Sequence, residues 1–156
     1  MSNAHQRARW TATYGYLYVR FGFRRDDLGD LARNQACVYC GNMAQGKDHI
    51  PPLKWMYALG SDHFRRRNVA CLIVPACQEC NSSLSDRKIF NLKDRCAYLL
   101  GRYSRKYRRF LHGQKWRTEE LDELGRNLRD YVTNFATCQL GIDRRVQILE
   151  EGVRRS

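Results

Sequence analysis

Cys37-Val38-Tyr39-Cys40 and Cys77-Gln78-Glu79-Cys80 form two Cys-x-x-Cys knuckles, and between them lies the run Asp48-His49-Ile50-Pro51-Pro52. Asn81 follows the last cysteine directly. Thiolates at knuckle spacing can close a tetrahedral zinc site. Asp48, His49 and Asn81 are a different set. A carboxylate and an amide oxygen suit a hard cation such as Mg²⁺, and an imidazole can take a proton. A zinc ion that folds the segment also draws Asn81 toward Asp48 and His49. A lone histidine beside an acid is usually structural; its place between the knuckles, together with Asn81, gives the pair functional weight.

The constellation resembles the HNH, or ββα-metal, nuclease family, in the version with a zinc-knuckle frame and Asn in place of the last His. The stretch Leu72-Ile73-Val74-Pro75-Ala76-Cys77-Gln78-Glu79-Cys80-Asn81 is also similar to a small phage and bacterial group of that family, which pairs Asp-His-x-Pro-Pro with Val-Pro-Ala-Cys. The similarity runs from about Cys37 to Phe90, roughly a third of the chain. It implies a β-hairpin carrying Asp48-His49 and a helix beginning at or just after the second knuckle. It also implies roles: Asp48 as the metal-binding acid, His49 as general base, and Asn81 as the ligand on the helix. The cofactors implied are a structural Zn at Cys37, Cys40, Cys77 and Cys80 and a catalytic Mg or Mn at Asp48 and Asn81. One position departs from the family pattern: Leu72 stands where the middle Asn belongs, with Asn68 nearby but out of register. That Asn usually braces the loop, so the departure bears on loop geometry more than on chemistry.

Charge points to a polyanion. The net charge is +12, from 28 Lys+Arg against 16 Asp+Glu, and basic side chains release counterions condensed on a phosphate backbone. A solubilising surface charge is the plainer alternative. The distribution favours the former: Arg102, Arg105, Lys106, Arg108, Arg109, Lys115 and Arg117 fall between Gly101 and Arg117 without one acid. From Thr118 onward, eight acids outnumber six bases. Arg65, Arg66 and Arg67, with Arg102, Arg105, Lys106 and Arg109, are the expected phosphate contacts, a solvated loop being the alternative for the arginine triplet. His63, Ser85 and Asp86 are further ligand options, each more simply an ordinary surface residue.

Seven cysteines are an odd number, and zinc ligation explains the knuckle four better than disulfides, which points to a reducing compartment. Cys96 and Cys138 read as small buried hydrophobes, while Cys71 lacks a knuckle partner. With no secretory signal, transit peptide or membrane-length apolar run in the chain, a cytoplasmic setting in a bacterial or phage-infected cell is expected.

These residues must be held by a scaffold. The aromatics Trp10, Tyr14, Tyr16, Tyr18, Phe21 and Phe23 fit either a strand or a helix face, as a packing arm or a base-stacking surface. Asp26 or Asp27 can cap a short helix before Cys37. Lys54 to Phe64 is an insertion, and Ala70 to Val74 is a strand pairing back on the residues before His49. Apolar residues from Ile89 to Phe110 at three- and four-residue steps predict a long helix over about Asp86 to Leu111, weakened at Gly101. Thr118 is an expected N-cap for a second helix through Phe135, and a third is expected over about Ile142 to Glu150. The fold expected is α+β: a zinc-stapled hairpin-and-helix module with a mainly helical C-terminal extension. The expected division is 1–34 as an aromatic and basic arm, 35–112 as the knuckle module running into the basic helix, and 113–156 as the extension.

Three functions compete. A DNA endonuclease uses the knuckles and all of Asp48, His49 and Asn81. A catalytically silent zinc module that binds nucleic acid needs the knuckles and the basic helix alone. A zinc-stapled protein-interaction domain needs no basic run. The endonuclease uses the most of the sequence, with DNA as partner and a homodimer or a larger phage or defence complex as the wider setting.

Overall fold

The computed structural model describes residues 35–67 and 72–154, without the side chains of Ser61 and Arg65. The expectations for the aromatic arm, the Asp26/Asp27 helix, Asn68 and Cys71 lie outside those residues. The described fold is mixed α and β, with a two-stranded antiparallel sheet and a helical C-terminal part.

The first knuckle is a tight turn closed by a bridge between Ala36 and Met43. Gly41 N–H donates to the Cys37 carbonyl at 2.9 Å and Cys37 N–H to the Asn42 carbonyl at 2.6 Å. Gly41 has φ +73°, a conformation that costs a side-chain-bearing residue and is free to glycine. Val38 N–H then donates to the Pro75 carbonyl at 3.0 Å, and Gln45 N–H to that of Ala76 at 3.2 Å, which carries the knuckle into the sheet.

Strand β1 (Gly46–Ile50) pairs antiparallel with β2 (Leu72–Ala76), with Asp48 opposite Val74 and His49 opposite Ile73. Of the expected strand over Ala70 to Val74, the first two residues lie outside the described ones; β2 runs two residues past Val74 to the second knuckle, and its partner includes His49 itself. Pro75 is tolerated because each strand of a two-stranded sheet has an unpaired edge. The expected insertion between the strands holds two short helices, α1 (Leu53–Leu59) and α2 (Ser61–Arg66).

Cys77 caps helix α3 (Gln78–Leu84), its sulfur accepting from Cys80 N–H at 3.4 Å. The helix expected from Asp86 begins later: α4 spans Leu92–Lys106, because Asn91 is the better start, its side chain accepting from Asp94 N–H at 2.8 Å. Gly101 does not interrupt α4. The break comes at Tyr107, before a single turn, α5 (Arg108–Leu111).

Two further boundaries differ from expectation. The cap of α6 (Thr118–Asp122) is Arg117, not Thr118, with the Glu120 carboxylate accepting from Arg117 N–H at 2.7 Å. After Gly125 there is one helix, not two: α7 (Arg126–Arg154) runs for 29 residues. Its buried residues Val132, Gln139, Ile142 and Leu149 recur at steps of seven or three, one stripe that a break would misalign. Cys138 points away from that stripe and is exposed, against the expectation of a buried thiol, whereas Cys96 is buried.

The core is built on the cysteines: Cys37, Cys40, Cys77, Cys80 and Cys96 pack with Tyr39, Ala76, Leu84, Leu99, Tyr103 and Leu149. So much small, sulfur-containing bulk leaves a modest apolar mass, which is where a metal staple has most to add. Helix α7 closes this core from outside. A Cβ on Gly41 would meet Ile148 Cδ1 at 2.5 Å, and one on Gly152 would meet Cys96 Sγ at 2.6 Å. Among the described residues no helix is long and apolar enough to cross a membrane.

Candidate metal centre

The knuckles converge. The Sγ atoms of Cys37, Cys40, Cys77 and Cys80 all lie within 4.8 Å of one another, and all four residues are buried. Cys40 Sγ and Cys77 Sγ are 3.6 Å apart. Zinc–sulfur bonds of about 2.3 Å in a tetrahedron place sulfurs roughly 3.8 Å apart, so the cluster has the size and donor set of a structural zinc site. Among the described residues it is the one group of His, Cys, Asp or Glu close enough to hold an ion.

The electrostatics agree with the geometry. Hydrogen bonds from Cys40 and Cys80 hold the Cys37 thiol down at about 2, while the same contact pushes Cys40 up to about 12. Cys80 is pushed up too, chiefly by its contacts with Cys37 and Cys40. Crowded sulfurs share one negative charge easily and resist a second. A divalent cation at their centre removes that resistance.

A second layer of side chains surrounds the sulfurs. Tyr103 Oη lies 3.1 Å from Cys80 Sγ, and Arg145 Nη2 donates to Tyr103 Oη at 2.8 Å. Arg145 thereby occupies an oxygen lone pair and leaves the hydroxyl proton for the sulfur. Arg145 also bonds Glu79, which receives Lys106 and the Tyr107 hydroxyl, the latter at 2.7 Å. Burial raises the Glu79 carboxyl, but hydrogen bonds from Arg145, Lys106 and Tyr107 outweigh it and bring it to about 2. Helix α7 is thus tied to the second knuckle by charge as well as by packing.

The chain has no match among protein-family models, curated proteins or solved structures.

Helix α3 sets Asn81 against the first strand: Asn81 Nδ2 donates to the Lys47 carbonyl at 3.2 Å, one residue before Asp48. Successive strand residues face opposite ways, so Asp48 and His49 look to different sides of β1. His49 is half-buried, and burial lowers its pKa below the ordinary imidazole value, outweighing the raising effect of Asp48. The imidazole is therefore neutral at neutral pH, the form that accepts a proton.

Asp48 is buried, and its surroundings were not foreseen. Tyr39 Oη donates to Asp48 Oδ2 at 2.5 Å, and Arg95 Nη1 donates to the same oxygen in a buried ion pair. Arg95 Nε donates in addition to the Ile89 carbonyl at 3.1 Å. The sequence did hold a signal: Arg95 interrupts the apolar stripe of α4, beside Leu92, Cys96 and Leu99, and Tyr39 lies inside the first knuckle. Both donors to Asp48 converge on Oδ2. The negative charge of Asp48 is balanced by Arg95.

The other site options are placed elsewhere. His63 packs edge-on against Phe64 at 5.2 Å, and Asp86 pairs with Lys54 at 3.5 Å. Of the expected phosphate contacts, Arg66, Arg67, Arg102, Arg105 and Arg109 are exposed. Lys106 is exposed but drawn onto Glu79. The Arg109 guanidinium lies over Phe110 at 5.3 Å.

Proposed function

We propose that this chain is a metal-dependent DNA endonuclease of the HNH type, with His49 as general base and a zinc-stapled frame. The observation that supports the reading most is that Asn81, beside the cysteine cluster, lies against β1, the strand that carries Asp48 and His49. The four sulfurs join β2 and α3 to the first knuckle, and Asn81, one residue past Cys80, lies against β1.

In this reading His49 takes a proton from water as the water oxygen attacks phosphorus and the O3′ bond breaks. Its half-buried, neutral imidazole supports that role. Asp48 and Asn81 would hold Mg²⁺ or Mn²⁺, which supplies positive charge opposite the phosphate oxygens and the departing O3′. Arg102 and Arg105, exposed on α4, would grip the backbone without reading bases.

A catalytically silent nucleic-acid-binding module is the competing reading. The specific observation in its favour is the buried Asp48–Arg95 pair, which also makes sense as a purely structural pin. Plasmid cleavage separates the two. The zinc-loaded chain should nick or cut plasmid DNA with Mg²⁺ or Mn²⁺, and His49→Ala should lower the rate by about 10²–10⁴ while zinc content and DNA affinity hold. A parent protein inactive with every divalent cation tried, or a fully active His49→Ala variant, would leave the binding module as the answer.

A further inference from the structure

An acid meant to hold a cation is usually left with its charge available, yet Asp48 is buried against a guanidinium. Arg95 is among the most completely enclosed side chains of the molecule, 1% exposed. It is fixed at two points, to Asp48 Oδ2 and to the Ile89 carbonyl, so it cannot swing away without breaking both bonds. Tyr39, fully buried, adds a third group to the cluster. The two residues proposed to hold the cation then bring no net negative charge between them: Asp48 is cancelled by Arg95, and Asn81 is neutral. A divalent cation gains little from such a site in the free protein, because its desolvation is opposed by no net negative charge. A phosphate diester brings the missing negative charge.

We infer that Arg95 is a positioning residue that keeps Asp48 charge-compensated until DNA arrives, so that the cation loads together with the substrate phosphate and not before it. The inference rests on the nuclease reading only in taking Asp48 as a cation ligand. Arg95 acts through Asp48: it binds Oδ2 and sets the charge that the carboxylate presents.

The test is Mn²⁺ binding by the zinc-loaded full chain, read from the electron paramagnetic resonance signal of free Mn²⁺. His49→Ala protein, with and without duplex DNA, gives the first comparison without cleavage. Mn²⁺ affinity should rise by about tenfold or more on adding duplex. Arg95→Met should raise the affinity of the DNA-free protein by a similar factor, and Arg95→Lys, which keeps the charge, should not. A merely structural Arg95 predicts the opposite sign, an affinity lowered or unchanged in Arg95→Met. Equal Mn²⁺ affinity with and without duplex overturns the inference, and needs no Arg95 variant to fold. A parent that cuts plasmid yet shows no duplex dependence sinks this inference alone. A parent that never cuts, but shows both Mn²⁺ effects, sinks the nuclease reading and leaves the role of Arg95 standing.

Discussion

Asp48→Asn separates charge from shape at the centre of the site. The amide keeps an oxygen that can accept from Tyr39 and Arg95, so only the negative charge is lost. Both side chains are out of water, Arg95 at 1% and Asp48 at 6% exposed, so the guanidinium is left buried without a counter-charge. Breaking a buried pair in this way costs about 3–5 kcal/mol, and the retained acceptor argues for the lower end, about 3 kcal/mol. For a chain of this size that is about 6–12 °C in Tm. Replacing both partners by groups that carry no charge should be far cheaper. Asp48→Asn combined with Arg95→Met should recover about 2 kcal/mol or more of the loss, while cleavage stays absent. His49→Ala, on the other face of β1, should cost about 1 kcal/mol or less. Urea unfolding of the zinc-loaded protein, followed by circular dichroism, measures all of these. An Asp48→Asn protein within about 1 kcal/mol of the parent, or a double variant no more stable than the single, would refute the claim that Arg95 depends on the charge of Asp48.

Three other outcomes follow from the same geometry. Metal analysis should find one tightly held zinc per chain; Cys→Ser at Cys37, Cys40, Cys77 or Cys80 should unfold the module, while Tyr103→Phe should leave it folded and only speed zinc loss to a chelator. Charge reversal at exposed Arg102 and Arg105 should weaken binding to all DNA sequences alike and flatten the salt dependence, and an unchanged slope would assign that face to another partner. Since burial lowers the His49 pKa, its neutral form persists below the ordinary value near 6.5, and the acid limb of the cleavage profile should fall below that pH. The folding contribution has the same origin: it is fully present above the unfolded pKa and is lost as pH falls from there through the lower folded pKa, because only the unfolded chain takes up the proton readily.

How much of this was legible in sequence depends on how far apart the interacting residues lie. The knuckles are local: the first is a turn in which Gly41 supplies the left-handed φ, the second is the capped start of α3, and the long-range step is their meeting. The hairpin was legible, with its second strand ending two residues later than expected because it runs directly into the second knuckle. Helix ends were harder. Periodicity carried α4 back to Asp86, since Ile89 continues the apolar spacing, but Asn91 caps the helix and Ile89 serves through its carbonyl instead. The helices expected through Phe135 and from about Ile142 are one helix, because the stripe of Val132, Gln139, Ile142 and Leu149 runs unbroken across the expected gap. Arg95 is the instructive miss. An arginine on an apolar helix face must be buried, so it must have found an anion, and that much was readable from one helix. Which anion was not: its partner lies 47 residues back on a strand. That partner is the acid picked out for cation binding, so the same pairing supports either a structural pin or a gate on the cation. The choice turns on the sign of the Mn²⁺ response when Arg95 loses its charge, a quantity set by the local charge balance and not by any motif.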